Sequence, residues 1–120
     1  MAKMIYISLI INIVVLIPIC SALLLDAGWV NDGYGPASPA RGILLSIYMA
    51  ILIASVFFLF GVDPKFVAAL LAIQVLYKIT TPFTVGTLQN PVVISNLLIA
   101  AFHVATLYTI WKAGKLTNPV

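Results

Sequence analysis

The stretch LAIQVLYKITTPF, residues 71–83, is an apolar run interrupted by one lysine, Lys78. Whether it forms the core of an aqueous domain or a membrane span decides the fold, and the rest of the chain answers that question. Of 120 residues, 63% are hydrophobic and 8% charged. Mean hydropathy is +1.19, whereas a soluble domain carries about 25% charged residues. Too little polar surface exists to cover an aqueous fold, so the bilayer is the solvent. The length allows one domain, residues 1–120.

A hydrocarbon core about 30 Å thick needs about 20 apolar residues in a helix. Segments 4–25, 40–60, 65–85 and 91–111 meet that requirement, with residues 26–38 left as a long external loop. The chain is therefore expected to be all-α, an integral membrane bundle of four transmembrane helices. Lys3 ahead of the first apolar run imitates a signal peptide. The run is too long for one, and no small-residue cleavage site follows, so it reads as the first span. Ser38-Pro39, Asp63-Pro64 and Asn90-Pro91 mark the other three starts. In each, a polar side chain takes up an orphan N–H, and a proline at the next position has no N–H to lose. Pro18 and Pro82 fall within spans and are expected to kink them. The short links 61–63 and 86–90 predict an antiparallel, up-down order in which the second, third and fourth helices pack beside their sequence neighbours.

Orientation follows from basic residues outside the spans. Lys3, Lys65, Lys112 and Lys115 fall on one side and Arg41, with Asp26 and Asp32, on the other. Both termini are thus expected in the cytoplasm, in the inner membrane of a prokaryote. Tyr6, Trp29, Tyr34, Tyr108 and Trp111 fall at the expected interfaces. The six Lys and Arg are scattered, so no basic run suggests nucleic acid. Cys20 stands alone, which excludes an internal disulfide and a paired-thiol redox site and leaves it as a small apolar filler.

Lys78 sits just past the middle of its span, where a lysine costs about 2.5–3.5 kcal/mol on the insertion scale. It should therefore face the bundle or a wet crevice. Gln74, Tyr77, Lys78 and Thr81 share one helix face by their spacing. Arg41, Tyr48 and Ser55 repeat at heptad intervals in the second span, and Asn96 and His103 in the fourth; Ser8 and Asn12 lie one turn apart in the first. The expectation is an outward-opening polar pocket containing Arg41, Tyr48, Gln74, Tyr77, Lys78, Asn96 and His103. It would be lined by helices two, three and four and roofed by the long loop. Taken singly, Asn12, Ser55 and Asn96 also suit interhelical hydrogen bonding, and His103 a satisfied bundle histidine.

The spans contain no Asp or Glu, which argues against a cation transporter. The pocket suits an anion, a lipid headgroup or a quinone-like carbonyl, with Tyr48 and Tyr77 as further donors. One His and one Cys make no metal cluster. No phosphate loop, nucleophile elbow or carboxylate pair appears, so no catalytic residues are assigned. Lys78 as a Schiff-base nucleophile, and His103 as one axial haem ligand completed by a partner, remain open.

Size and span number resemble the small multidrug transporters, but their first-helix glutamate has no counterpart here. The glycine-rich signature of the four-helix fluoride channels is missing too. SPARGILLSIYMAI, VDP and NPVVISNLLIAAFH, opening the second, third and fourth helices, resemble the layout of the DoxX-like group of small four-helix membrane proteins. That resemblance implies a membrane bundle, in some members a partner of quinone-linked redox complexes, and carries over no site residues. Two functions are expected. The first is a non-catalytic accessory subunit of a respiratory, photosynthetic or membrane-oxygenase complex. The second is a self-contained homo-oligomeric binder or transporter of a small anionic, lipid or quinone-like molecule.

Overall fold

The computed structural model of the chain describes residues 1–116. The described residues form five helices and no strand: α1 (Ala2–Leu24), α2 (Val30–Tyr34), α3 (Pro39–Leu59), α4 (Pro64–Val85) and α5 (Pro91–Lys112). All but α2 are long and apolar enough to cross a membrane. The bundle measures 45 × 28 × 24 Å, a length that spans a bilayer of about 40–45 Å including headgroups. Its outer surface is apolar, with Val14, Ile17, Ile43, Phe57, Ile73, Leu76 and Leu98 exposed. Its interior holds Asn12, Ser55, Gln74, Lys78, Asn96 and His103. This inversion of the aqueous pattern is what hydrocarbon solvent demands, and the chain is an integral membrane protein.

Helix starts follow the local chemistry. Ser38 accepts from the Arg41 N–H, Asp63 from Lys65, and Asn90 from Val92 and Val93, each with proline in the first turn. α4 ends at Gly86, whose φ of +89° places it in the left-handed region that glycine enters without a Cβ clash. Span ends match the sequence expectation to within two residues, and α1 and α4 run on through Pro18 and Pro82.

Two features differ from expectation. The loop between the first two spans contains the short helix α2. And although only four residues, 60–63, link α3 to α4, the most extensive pairings are α1 with α3 and α4 with α5. The reason is α1, which pairs with α3, lies against the α4–α5 pair and bonds to all three helices through Asn12. Leu9 of α1 packs with Val67 and Leu71 of α4, while Leu16, Cys20 and Leu23 pack with Tyr48 and Ile51 of α3. Cys20 is a buried member of that cluster.

Candidate functional site

The polar interior divides into two regions. In the first, α1, α3, α4 and α5 meet around Asn12. Its amide Nδ2 donates to Ser55 Oγ (3.1 Å) and Gln74 Oε1 (2.8 Å), and Gln74 Nε2 donates back to Asn12 Oδ1 (3.0 Å). His103 Nε2 lies 3.0 Å from the same Asn12 Oδ1, and its Nδ1 lies 3.1 Å from Ser8 Oγ. Because Asn12 Oδ1 only accepts, His103 carries a proton on Nε2. In a neutral ring, Nδ1 then accepts from Ser8, and Ser8 accepts from Thr106 at 2.6 Å. The Ser55 hydroxyl itself donates a hydrogen bond to the Ile51 carbonyl. Every side chain here has a partner, as a group buried away from water requires.

That closure assigns two of the sequence candidates. Gln74 and His103 are cross-bundle braces and do not face a pocket. Both ring nitrogens of His103 are engaged and the residue is fully buried, so no lone pair is left for a haem. Among the described residues, no group of three or more His, Cys, Asp or Glu converges as a metal-binding set.

The second region is a cavity of about 210 Å³ near α2. Lys78, Tyr48 and Asn96 line it, together with Leu16 of α1 and Val30 and Tyr34 of α2. The second, third and fourth spans each contribute to the lining, and the first span, absent from the expectation, joins them. The first span forms one wall, through Val15, Leu16 and Ile19, while α3 and α4 contribute one residue each. α1 does so because the Asn12 bonds hold it between α3 and the α4–α5 pair.

Lys78 is 5% exposed. Its ammonium donates to Asn96 Oδ1 at 3.0 Å and lies 4.9 Å from the Tyr77 ring centroid. Among the described residues its charge meets no carboxylate. The one ion pair there joins Arg41 to Asp26, and Asp63 caps α4. An ammonium has three donors, so two remain for water or a ligand. Tyr77 does not line the cavity, and its hydroxyl is buried with no partner among the described residues. The Tyr48 ring meets Tyr34 edge-on, with centroids 6.0 Å apart.

Arg41, expected at the mouth, instead holds the roof in place. Its guanidinium donates to Asp26 Oδ1, to Asn31 Oδ1 (2.9 Å) and to the Gly35 carbonyl (2.9 Å). Asp26 sits at φ +52°, a left-handed conformation that aspartate tolerates better than most residues. Asn90 Nδ2 reaches the Gly33 carbonyl at 3.0 Å, tying α2 to the start of α5. Burial pushes the Tyr34 phenol of α2 above the usual tyrosine range.

Thr106, a member of the Asn12 region, was not among the sequence candidates. Its spacing of three from His103 was the available signal. α2 had none, because a five-residue helix with a glycine inside shows no usable periodicity.

No protein-family model, curated protein or solved structure matches the chain.

Proposed function

We propose that this chain is a self-contained, non-catalytic membrane protein that binds a small membrane-soluble molecule, held through an oxygen acceptor presented to Lys78. One observation carries this reading. Lys78 reaches a largely apolar cavity with its charge uncompensated among the described residues and two of its three donors unengaged. A lysine retained at that depth for packing alone would be matched by a carboxylate or replaced by an apolar side chain. Ser8, Asn12, Ser55, Gln74, His103 and Thr106 are turned inward and bonded to one another, which favours a complete unit over one half of an interface.

In this reading the bundle is antiparallel and up-down. The pairs Ser8–Thr106 and Asn12–His103 support that order for α1 and α5, and Asn12–Ser55 with Asp26–Arg41 support it for α1 and α3. Both termini lie in the cytoplasm of a prokaryotic cell by the lysine distribution, and the cavity opens in the outer half of the inner membrane. The test is native mass spectrometry after mild extraction from the protein's own membrane. A monomer or small homo-oligomer carrying one small molecule, absent from Lys78→Leu, is the expected result. A defined larger assembly with an empty cavity would overturn it.

That second outcome is the accessory-subunit reading, and one observation favours it. Gly42, Ser46 and Ala50 recur every fourth residue along the exposed surface of α3, a small-residue track that lets another helix approach closely.

A further inference from the structure

The cavity has two boundaries of opposite character. Toward the loop it is closed by α2, whose Val30 is fully buried and whose Gly33 and Tyr34 form the roof. That roof is tied down by Asn90 to Gly33 and by Arg41 to Asn31 and Gly35. Toward the side, the boundary is the seam between α1 and α5. These helices touch at Ser8–Thr106 and Asn12–His103. Farther along, Val15 and Ile19 of α1 and Ser95 and Ile99 of α5 line the cavity and are only half-buried. The surface beside the seam is apolar, with Val14 63% exposed and Leu98 69% exposed. The seam therefore opens toward hydrocarbon.

The chemistry inside selects one kind of occupant. A buried ammonium with a single neutral hydrogen-bond acceptor is best completed by an anion, because a charge-assisted bond is about twice as strong as a neutral one. Asn96, which accepts from Lys78 through Oδ1, still has its amide donors for a second oxygen. Val15, Leu16, Ile19 and Ile99 make much of the remaining wall aliphatic, while Trp29, Tyr34 and Tyr48 add aromatic surface and Ser95 one hydroxyl. A volume of about 210 Å³, at about 30 Å³ per water-sized group, holds a carboxylate and the first few carbons of a chain. The rest of such a chain would leave through the seam into lipid.

We infer that the α1–α5 seam is a lateral portal through which a single-chain carboxylic acid dissolved in the bilayer seats its carboxylate on Lys78 and Asn96. This rests on the reading above that Lys78 holds a ligand, and it adds the ligand's charge and its route.

The experiment uses the full chain in lipid nanodiscs with radiolabelled oleate as the probe, and unlabelled methyl oleate and decylubiquinone as competitors. Saturable oleate binding is expected, with methyl oleate and decylubiquinone weaker by about tenfold or more. Lys78→Met should lose binding by a similar factor. Ile99→Trp, which fills the seam away from the ammonium, should slow association while leaving the thermal unfolding profile near wild type. Equal competition by the neutral probes, with Lys78 still required, overturns the carboxylate and leaves the broader binding function standing. Unchanged association in a folded Ile99→Trp overturns the portal. No saturable binding of any of the three, or binding indifferent to Lys78→Met, overturns both the inference and the function on which it rests.

Discussion

Replacing Asn12 by leucine tests whether the inner polar region holds the bundle together. Asn12 takes part in four hydrogen bonds, to Ser55, twice with Gln74, and with His103. Hydrogen bonds between membrane helices average about 0.6 kcal/mol, so their direct loss amounts to roughly 2.4 kcal/mol. Leucine has similar bulk and opens no large void. It also leaves the Gln74 amide and the His103 Nε2–H facing a hydrocarbon surface, and an orphaned buried group costs about 1–3 kcal/mol. Asn12 and Gln74 bond each other reciprocally, so the orphaned amide is largely the loss of that pair counted from the other side. The expected net destabilisation is about 2–4 kcal/mol, measured by reversible unfolding in mixed detergent micelles. Ser21→Ala is the control, since Ser21 is exposed and bonds only the Ile17 carbonyl of its own helix; it should stay within about 0.5 kcal/mol of wild type. Adding Gln74→Leu to Asn12→Leu should cost less than the sum of the two single changes, because both halves of the amide pair are then gone. An Asn12→Leu protein as stable as the control would refute the reasoning, as would strict additivity with Gln74→Leu.

Three further outcomes follow from other parts of the molecule. Lys78→Leu should insert and fold at least as well as wild type in a glycosylation-mapping assay, since removing a central lysine saves about 2.5–3.5 kcal/mol on the insertion scale against one bond to Asn96; failed insertion would make Lys78 a structural charge. Gly33→Ala drives a Cβ into Val92 Cγ2, which should loosen α2 by about 1–3 kcal/mol and speed its amide exchange. Val92→Ala in the same chain should restore protection, and no rescue would show that the contact is not the cause. Tyr34 has a phenol pKa raised by burial, so the folded state holds its proton where the unfolded chain has lost it. Stability is therefore whole below the ordinary tyrosine range of about 10 and falls as pH rises through it. Tyr34→Phe should flatten that alkaline loss, and an unchanged profile would place the titration elsewhere.

The four spans and three of their starts were legible in the amino-acid order because the physics that makes them is local. A run of about 20 apolar residues matches the bilayer wherever it occurs. A capping side chain acts on an N–H two or three positions away, as Ser38, Asp63 and Asn90 do. Lys78 facing inward was legible for the same kind of reason, since its insertion cost depends on depth along a single helix. Partners were not. Helical spacing puts Gln74 and Lys78 on one face, yet nothing in that spacing separates the residue that binds Asn12 from the one that reaches the cavity. That separation depends on the position of α1 between the α3 side and the α4–α5 pair. It is established by contacts such as Asn12–Gln74 and Ser8–His103, 62 and 95 positions apart in sequence. Arg41 shows the same limit. Its place at the end of a span follows from sequence, but its role in bracing α2 required a loop whose path is set by tertiary contacts. Local hydrophobicity and capping specify the helices, whereas their mutual rotation is fixed only when distant polar groups find partners that hydrocarbon cannot supply.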